Sequence, residues 1–180
     1  MAIVVGAMWL IELLDTVLLD DRLQANGILP RRRNSIDGIA YSPFLHLGWP
    51  HLIANTVPFL VLGALVTLWG WRRWVVVTVL IALVGGGLTW ALARQGNHIG
   101  ASGLVFGYFG YLVAVVFYQR KLWPVIPAAI AIIAYGSAIV AGIAPTDGVS
   151  WEGHAFGAVA GVLAAKITTR TSVRSDDNLI

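Results

Sequence analysis

The 180-residue chain contains no cysteine, which excludes disulfide cross-links, thiolate nucleophiles and thiolate-held metals. Charge is almost as scarce: Asp, Glu, Lys and Arg make up 12% of the residues, about half the share of a soluble domain. The four histidines are dispersed and form no short metal-ligand motif, so no metal or other cofactor is expected. The N-terminus lacks a basic region before its apolar run, which ends in Asp20-Asp21 instead of a small-residue cleavage site. A retained first span is therefore expected in place of a removable signal peptide. No internal repeat or second domain interrupts the chain, which reads as one domain over residues 1–180.

What the chain has is apolar length. Hydrophobic residues make up 58% and mean hydropathy is +0.78, which places the protein in a bilayer. Apolar windows near residues 3–19, 52–69, 74–93, 103–119, 123–143 and 153–168 predict an all-α membrane protein, a compact bundle of six spans. The connection over residues 20–51 holds Pro30, Pro43 and Pro50 with Gly27, Gly38 and Gly48, which rules out one continuous helix. Its Ile39, Tyr41, Phe44, Leu45, Leu47 and Trp49 fit an ordered loop at the membrane surface.

Six spans put both ends on the cytoplasmic side. Arg72, Arg73, Arg120, Lys121, Lys166, Arg170 and Arg174 then lie inside, against Arg22, Arg31, Arg32, Arg33 and Arg94 outside; the margin gives this orientation weak support. Arg31 to Arg33 resemble a nucleic-acid patch only out of context. Between hydrophobic spans, in a chain of net charge +3, a headgroup contact or solvated loop is the better reading, and no nucleic-acid partner is expected.

Polar side chains inside apolar segments need a reason, because hydrocarbon penalises them. Glu12 and Asp15, at i and i+3, share one face of the first span and are expected to face protein, a wet cavity or the interface in a structural role. The second, fourth and sixth spans all run from outside inward, so His51, Ser102 and His154 fall near the outer ends of their helices. Alone, Ser102 would be a capping or packing serine and His154 a histidine bonded to a carbonyl. Together they match a nucleophile and its base, with Gly100 and Gly103 allowing a close turn. Gly153, Gly157 and Gly161 on the last span, and Gly103 and Gly107 on the fourth, permit close helix packing. His51 and Asn55, at i and i+4, form either a polar helix-start network or a pair of donors for a developing oxyanion.

On these residues the chain closely resembles the rhomboid family of intramembrane serine proteases. Gly100-Ala101-Ser102-Gly103 matches the family's Gly-x-Ser-Gly, Gly153-His154 its base-bearing segment, and His51-Leu52-Ile53-Ala54-Asn55 its His-x-x-x-Asn. Gly27-Ile28-Leu29-Pro30-Arg31 and Ser42 to His51 look like the loop before the second helix in many bacterial members. The resemblance implies peptide hydrolysis by Ser102 and His154, with His51, Asn55 and the Ser102 backbone N–H stabilising the oxyanion. It implies no acidic third member, and Asp147 and Glu152 are expected to be solvated end residues. Phe106, four residues after Ser102, is a candidate support for His154 or a core side chain. Transmembrane protein substrates would approach laterally near the second and fifth helices, where Trp123-Pro124 and Pro127 suggest a bend. The implied location is the bacterial inner membrane, with the site toward the outer side. A catalytically inactive rhomboid-like protein that binds transmembrane clients is the main alternative; a channel or transporter explains the polar span starts less well. Oligomeric state and natural substrate are left open by the sequence.

Overall fold

A computed structural model describes residues 1–119 and 121–177, so Arg120 and residues 178–180 lie outside the described residues, as do the side chains beyond Arg170, Arg174 among them. The chain is all-α: α1 (Ala2–Leu18), a short α2 (Gly38–Tyr41), α3 (Gly48–Thr67), α4 (Trp71–Leu80), α5 (Gly86–Leu92), α6 (Ser102–Gln119), α7 (Val125–Ile143) and α8 (Trp151–Asp177). Among the described residues four helical segments are long and apolar enough to cross a membrane: α3, the continuous run Trp71–Leu92, α6 and α7. Two of the six expected spans fall outside that group. α1 is 17 residues long and carries Glu12 and Asp15, and α8 opens on Glu152 and carries Lys166 and Arg170. The second span starts at Gly48 and not near residue 52, because the turn at Gly48 lets Trp49 and Pro50 enter the helix.

α6 is the centre of the bundle, with 56% of its residues buried. Tyr108, Tyr111, Leu112 and Val115 on it are fully enclosed and meet Phe59, Leu62 and Val66 of α3 and Val77 of α4. Its most intimate partner is α8, and glycine is the reason. A Cβ at Gly157 would overlap the Gly103 carbonyl, one at Gly161 the Gly107 carbonyl, and one at Gly110 the Ala158 carbonyl. Backbones this close gain dispersion contacts and weak Cα–H···O bonds that no larger residue permits. The run α4–α5 joins them through a π-helical segment, Ile81–Gly85, which brings Gly85 against Gly157 and lays Ile81 over Gly107.

The connection after α1 folds back on the bundle. Ile28 and His98 exchange backbone N–H···O bonds of 3.0 Å in each direction. Arg31 donates from Nη1 to the carbonyls of Ala93 at 2.8 Å and Ala91 at 3.3 Å, a cation on the exposed C-terminus of α5. Arg31 thus ties the connection after α1 to the end of α5 through its exposed guanidinium. Glu12 and Asp15 are each 2% exposed, and an Asp15 carboxylate oxygen accepts the Leu23 N–H at 2.8 Å, so both face protein as expected.

The packing predicts opposite outcomes for two glycines. Gly161→Val drives a side chain into the Gly107 carbonyl and is expected to destabilise the protein by about 1–3 kcal/mol or more. Gly87→Ala meets nothing within 4 Å and is expected to be neutral or stabilising, because alanine is the better helix former. Thermal unfolding of both variants in the same lipid or detergent checks the contrast.

Candidate active site

α3, α6 and α8 begin at the same end of the bundle, and their first turns bring the sequence-predicted residues together. Ser102 opens α6 and His154 lies in the first turn of α8; the Ser102 Oγ stands 2.9 Å from His154 Nε2. His154 Nδ1 is 2.8 Å from the carbonyl of Gly142 in the last turn of α7. A carbonyl only accepts, so Nδ1 carries the proton, and in the neutral ring Nε2 presents its lone pair to the Ser102 hydroxyl. Phe106 stacks flat on the imidazole, centroids 4.2 Å apart and planes inclined by 8°, which fixes the ring's tilt. Both members of the pair are half-buried.

His51 and Asn55 share a cavity of about 450 Å³ with Ser102, Phe106 and His154. The Leu47 N–H donates to His51 Nδ1 at 3.1 Å, which in the neutral ring leaves the proton on Nε2. Asn55 Nδ2 gives one hydrogen to the His51 carbonyl at 2.8 Å and retains a second. Both side chains face Gly100. A Cβ there would stand 2.9 Å from His51 Nε2, and φ is +109°, so space and backbone conformation both demand glycine. Gly100 N–H donates to the Ser42 carbonyl at 2.8 Å, tying the turn before Ser102 to the loop before α3.

Three side-chain groups escaped the sequence reading. His46, 1% exposed, accepts the Ala101 N–H on Nε2 at 3.4 Å and packs edge-on to His51, centroids 5.3 Å apart. Burial, reinforced by the neighbouring His51, pushes its imidazole down to about 4, so it is neutral at physiological pH. His98, also held below its ordinary value by burial, donates from Nε2 to the Arg94 carbonyl at 3.2 Å and accepts the Ser150 hydroxyl on Nδ1 at 2.5 Å. The third is Arg94. Its Nη2 donates to the Val149 carbonyl at 2.6 Å, and its Nε lies 3.6 Å from a Glu152 carboxylate oxygen. Glu152 is therefore not the solvated end residue expected from sequence but 6% exposed, turned inward to Arg94. Asp147 is exposed. Gly148, Val149 and Ser150 form one wall of the cavity, held from outside by Arg94 and His98.

Backbone proximity of three helix starts, a paired serine and histidine, and a facing His-x-x-x-Asn define a rhomboid-type membrane bundle. The rhomboid domain family matches residues 33–171, and the chain belongs to that family. It is 42% identical over 171 residues to uncharacterized proteins of Mycobacterium bovis and Mycobacterium tuberculosis, covering 89% of this chain and 70% of each relative. An uncharacterized protein of Mycobacterium leprae is 39% identical over 168 residues, 88% of this chain and 66% of that protein. Multiple apolar helices and bacterial relatives together support a bacterial multi-pass membrane protein.

His46 makes stability depend on acid in a defined window. Its folded-state value lies below the ordinary 6.5, so as pH falls the unfolded chain binds the proton first. Its contribution is complete above about pH 6.5 and declines toward about pH 4, by on the order of 3 kcal/mol across that interval. Unfolding midpoints measured across this range are expected to fall for the parent chain, and His46→Gln, which keeps an acceptor but does not titrate, flattens that part of the profile.

Proposed function

We propose that the protein is an intramembrane serine endopeptidase that cleaves peptide bonds in or next to transmembrane segments of membrane-protein substrates. The observation that carries this reading is the 2.9 Å contact between Ser102 Oγ and an unprotonated His154 Nε2 inside a cavity. Ser102 Oγ attacks the scissile carbonyl carbon while its proton passes to His154 Nε2. The carbonyl π electrons move to oxygen, and the oxyanion is met by His51 Nε2–H, the remaining Asn55 amide hydrogen and the Ser102 backbone N–H. Collapse expels the amine, which takes the proton from His154. Water, deprotonated in turn by His154, then hydrolyses the acyl-enzyme ester and restores Ser102. The half-buried position of both residues suits a reaction that needs water at depth.

In this reading α1 and α8 complete a six-span arrangement with both ends inside. The cavity opens toward the outer face of a bacterial inner membrane, and residues 20–51 lie as ordered structure at its surface. Substrate helices approach from the bilayer near α3 and α7, and water is the only co-reactant the chemistry requires.

A mechanism-based serine-protease probe applied to the protein in lipid is expected to label Ser102, and both Ser102→Ala and His154→Ala are expected to abolish labelling. Asn55→Ala and His51→Ala, each removing one oxyanion donor, are expected to lower kcat by about 10²–10³. Client binding by folded protein without labelling at Ser102 would instead mark a binding protein on the same scaffold.

A further inference from the structure

The His154 ring is oriented from a helix that supplies no side chain to the reaction. Its Nδ1–H donates to the Gly142 carbonyl at 2.8 Å, and Gly142 lies one residue from the end of α7. Carbonyls in the last turn of a helix have no amide partner within the helix, so this oxygen is free to accept. It also sits at the negative end of the α7 dipole, which favours the imidazolium that forms when His154 takes the Ser102 proton. A backbone carbonyl and a helix end thus do what a carboxylate does in a three-membered serine site: they select the tautomer and stabilise the charge.

The approach is steric as well as polar. A Cβ on Gly142 would overlap the Phe106 ring and lie 3.4 Å from His154 Nδ1. Phe106, stacked on His154, and Gly142 therefore fill one tightly shared space, and the carbonyl reaches the imidazole because residue 142 has no side chain. α7 is otherwise seated through small or single contacts, with Pro127, Ala128, Ala131 and Ile139 buried, while Ile126, Ile130, Ile133 and Val140 point outward.

We propose that the Gly142 carbonyl is the positioning third member of the Ser102–His154 unit, so that proton transfer from Ser102 requires α7 to be seated against α6 and α8. The proposal rests on the serine-hydrolase reading. When α7 shifts outward, His154 loses its Nδ1–H acceptor. A neutral ring that moves its proton to Nε2 then offers Ser102 a donor where an acceptor is needed. A substrate helix that displaces α7 on the way in finds the nucleophile idle, and reseating of α7 restores it.

The test is ¹⁵N spectroscopy of the His154 ring in full-length protein in lipid, with the resonances assigned by comparison with His154→Gln, alongside steady-state cleavage of a transmembrane substrate. The parent chain is expected to show a protonated Nδ1 and a bare Nε2. Gly142→Ala is expected to move the proton toward Nε2 and to lower kcat at least about tenfold with KM within about twofold. Phe106→Leu combined with Gly142→Ala makes room for the new methyl group and is expected to return the proton to Nδ1; the tautomer alone is read there, because Phe106 also fixes the ring's tilt. Ile139→Ala, which removes a buried anchor of α7 while leaving Gly142 in place, covers the case in which Gly142→Ala fails to fold and is expected to act in the same direction. A parent spectrum with Nε2 protonated, or a Gly142→Ala protein that loses kcat with the tautomer unchanged, overturns the proposal. Absence of cleavage and of Ser102 labelling in the parent chain would sink the hydrolase reading instead, and the tautomer would still be read.

Discussion

Backbone contact between α6 and α8 is the constraint from which the rest of the site follows. Ser102 and His154 are 52 residues apart in sequence, and their 2.9 Å bond exists because the helices that begin with them touch through glycine. The contact is repeated at Gly103–Gly157 and Gly107–Gly161, so the alignment of the two helix starts is set along several turns and not by the polar bond alone. A hydrogen bond contributes about 1 kcal/mol net, too little to hold two helices in register unaided. The dispersion gained over about two turns of close packing is the larger effect, and the polar pair inherits its geometry.

The π-helical segment serves the same end from the third side. A regular α-helix through Ile81–Gly85 would carry its following residues around the axis differently, and Gly85 would not face Gly157. Thr89, one turn on, donates its hydroxyl to the Gly85 carbonyl at 2.8 Å, so this buried side chain is satisfied within its own helix.

Much of this was legible because the candidate site residues sit at helix starts, where periodicity and glycine spacing place them. His51 and Asn55 one turn apart, Ser102 between two glycines, and His154 ahead of a four-residue glycine repeat each carry a local signature. The remainder has none. The Gly142 carbonyl is a backbone group, invisible to any reading of side chains. Glu152 looked like an end residue because its partner, Arg94, is 58 positions away. His46 lies outside the His-x-x-x-Asn spacing, and only the fold brings it beneath Ala101. The π turn at Ile81–Gly85 lies inside the third apolar window, and hydropathy cannot distinguish a π turn from an α turn. The windows at the two ends of the chain contain Glu12 and Asp15 in the first and Lys166 in the last, charged residues that lipid-facing α7 lacks.

The bracket of Arg94, His98 and Glu152 ties two connections into one body. Residues 93–101 lead directly into Ser102, and residues 144–150 lead directly into α8 and His154; between them run the bonds from Arg94 to Val149 and from Ser150 to His98. The two loops therefore behave as one structural unit. A change in the length or composition of one alters the shape presented by the other, and a loop grafted in from a relative fits only if its counterpart travels with it.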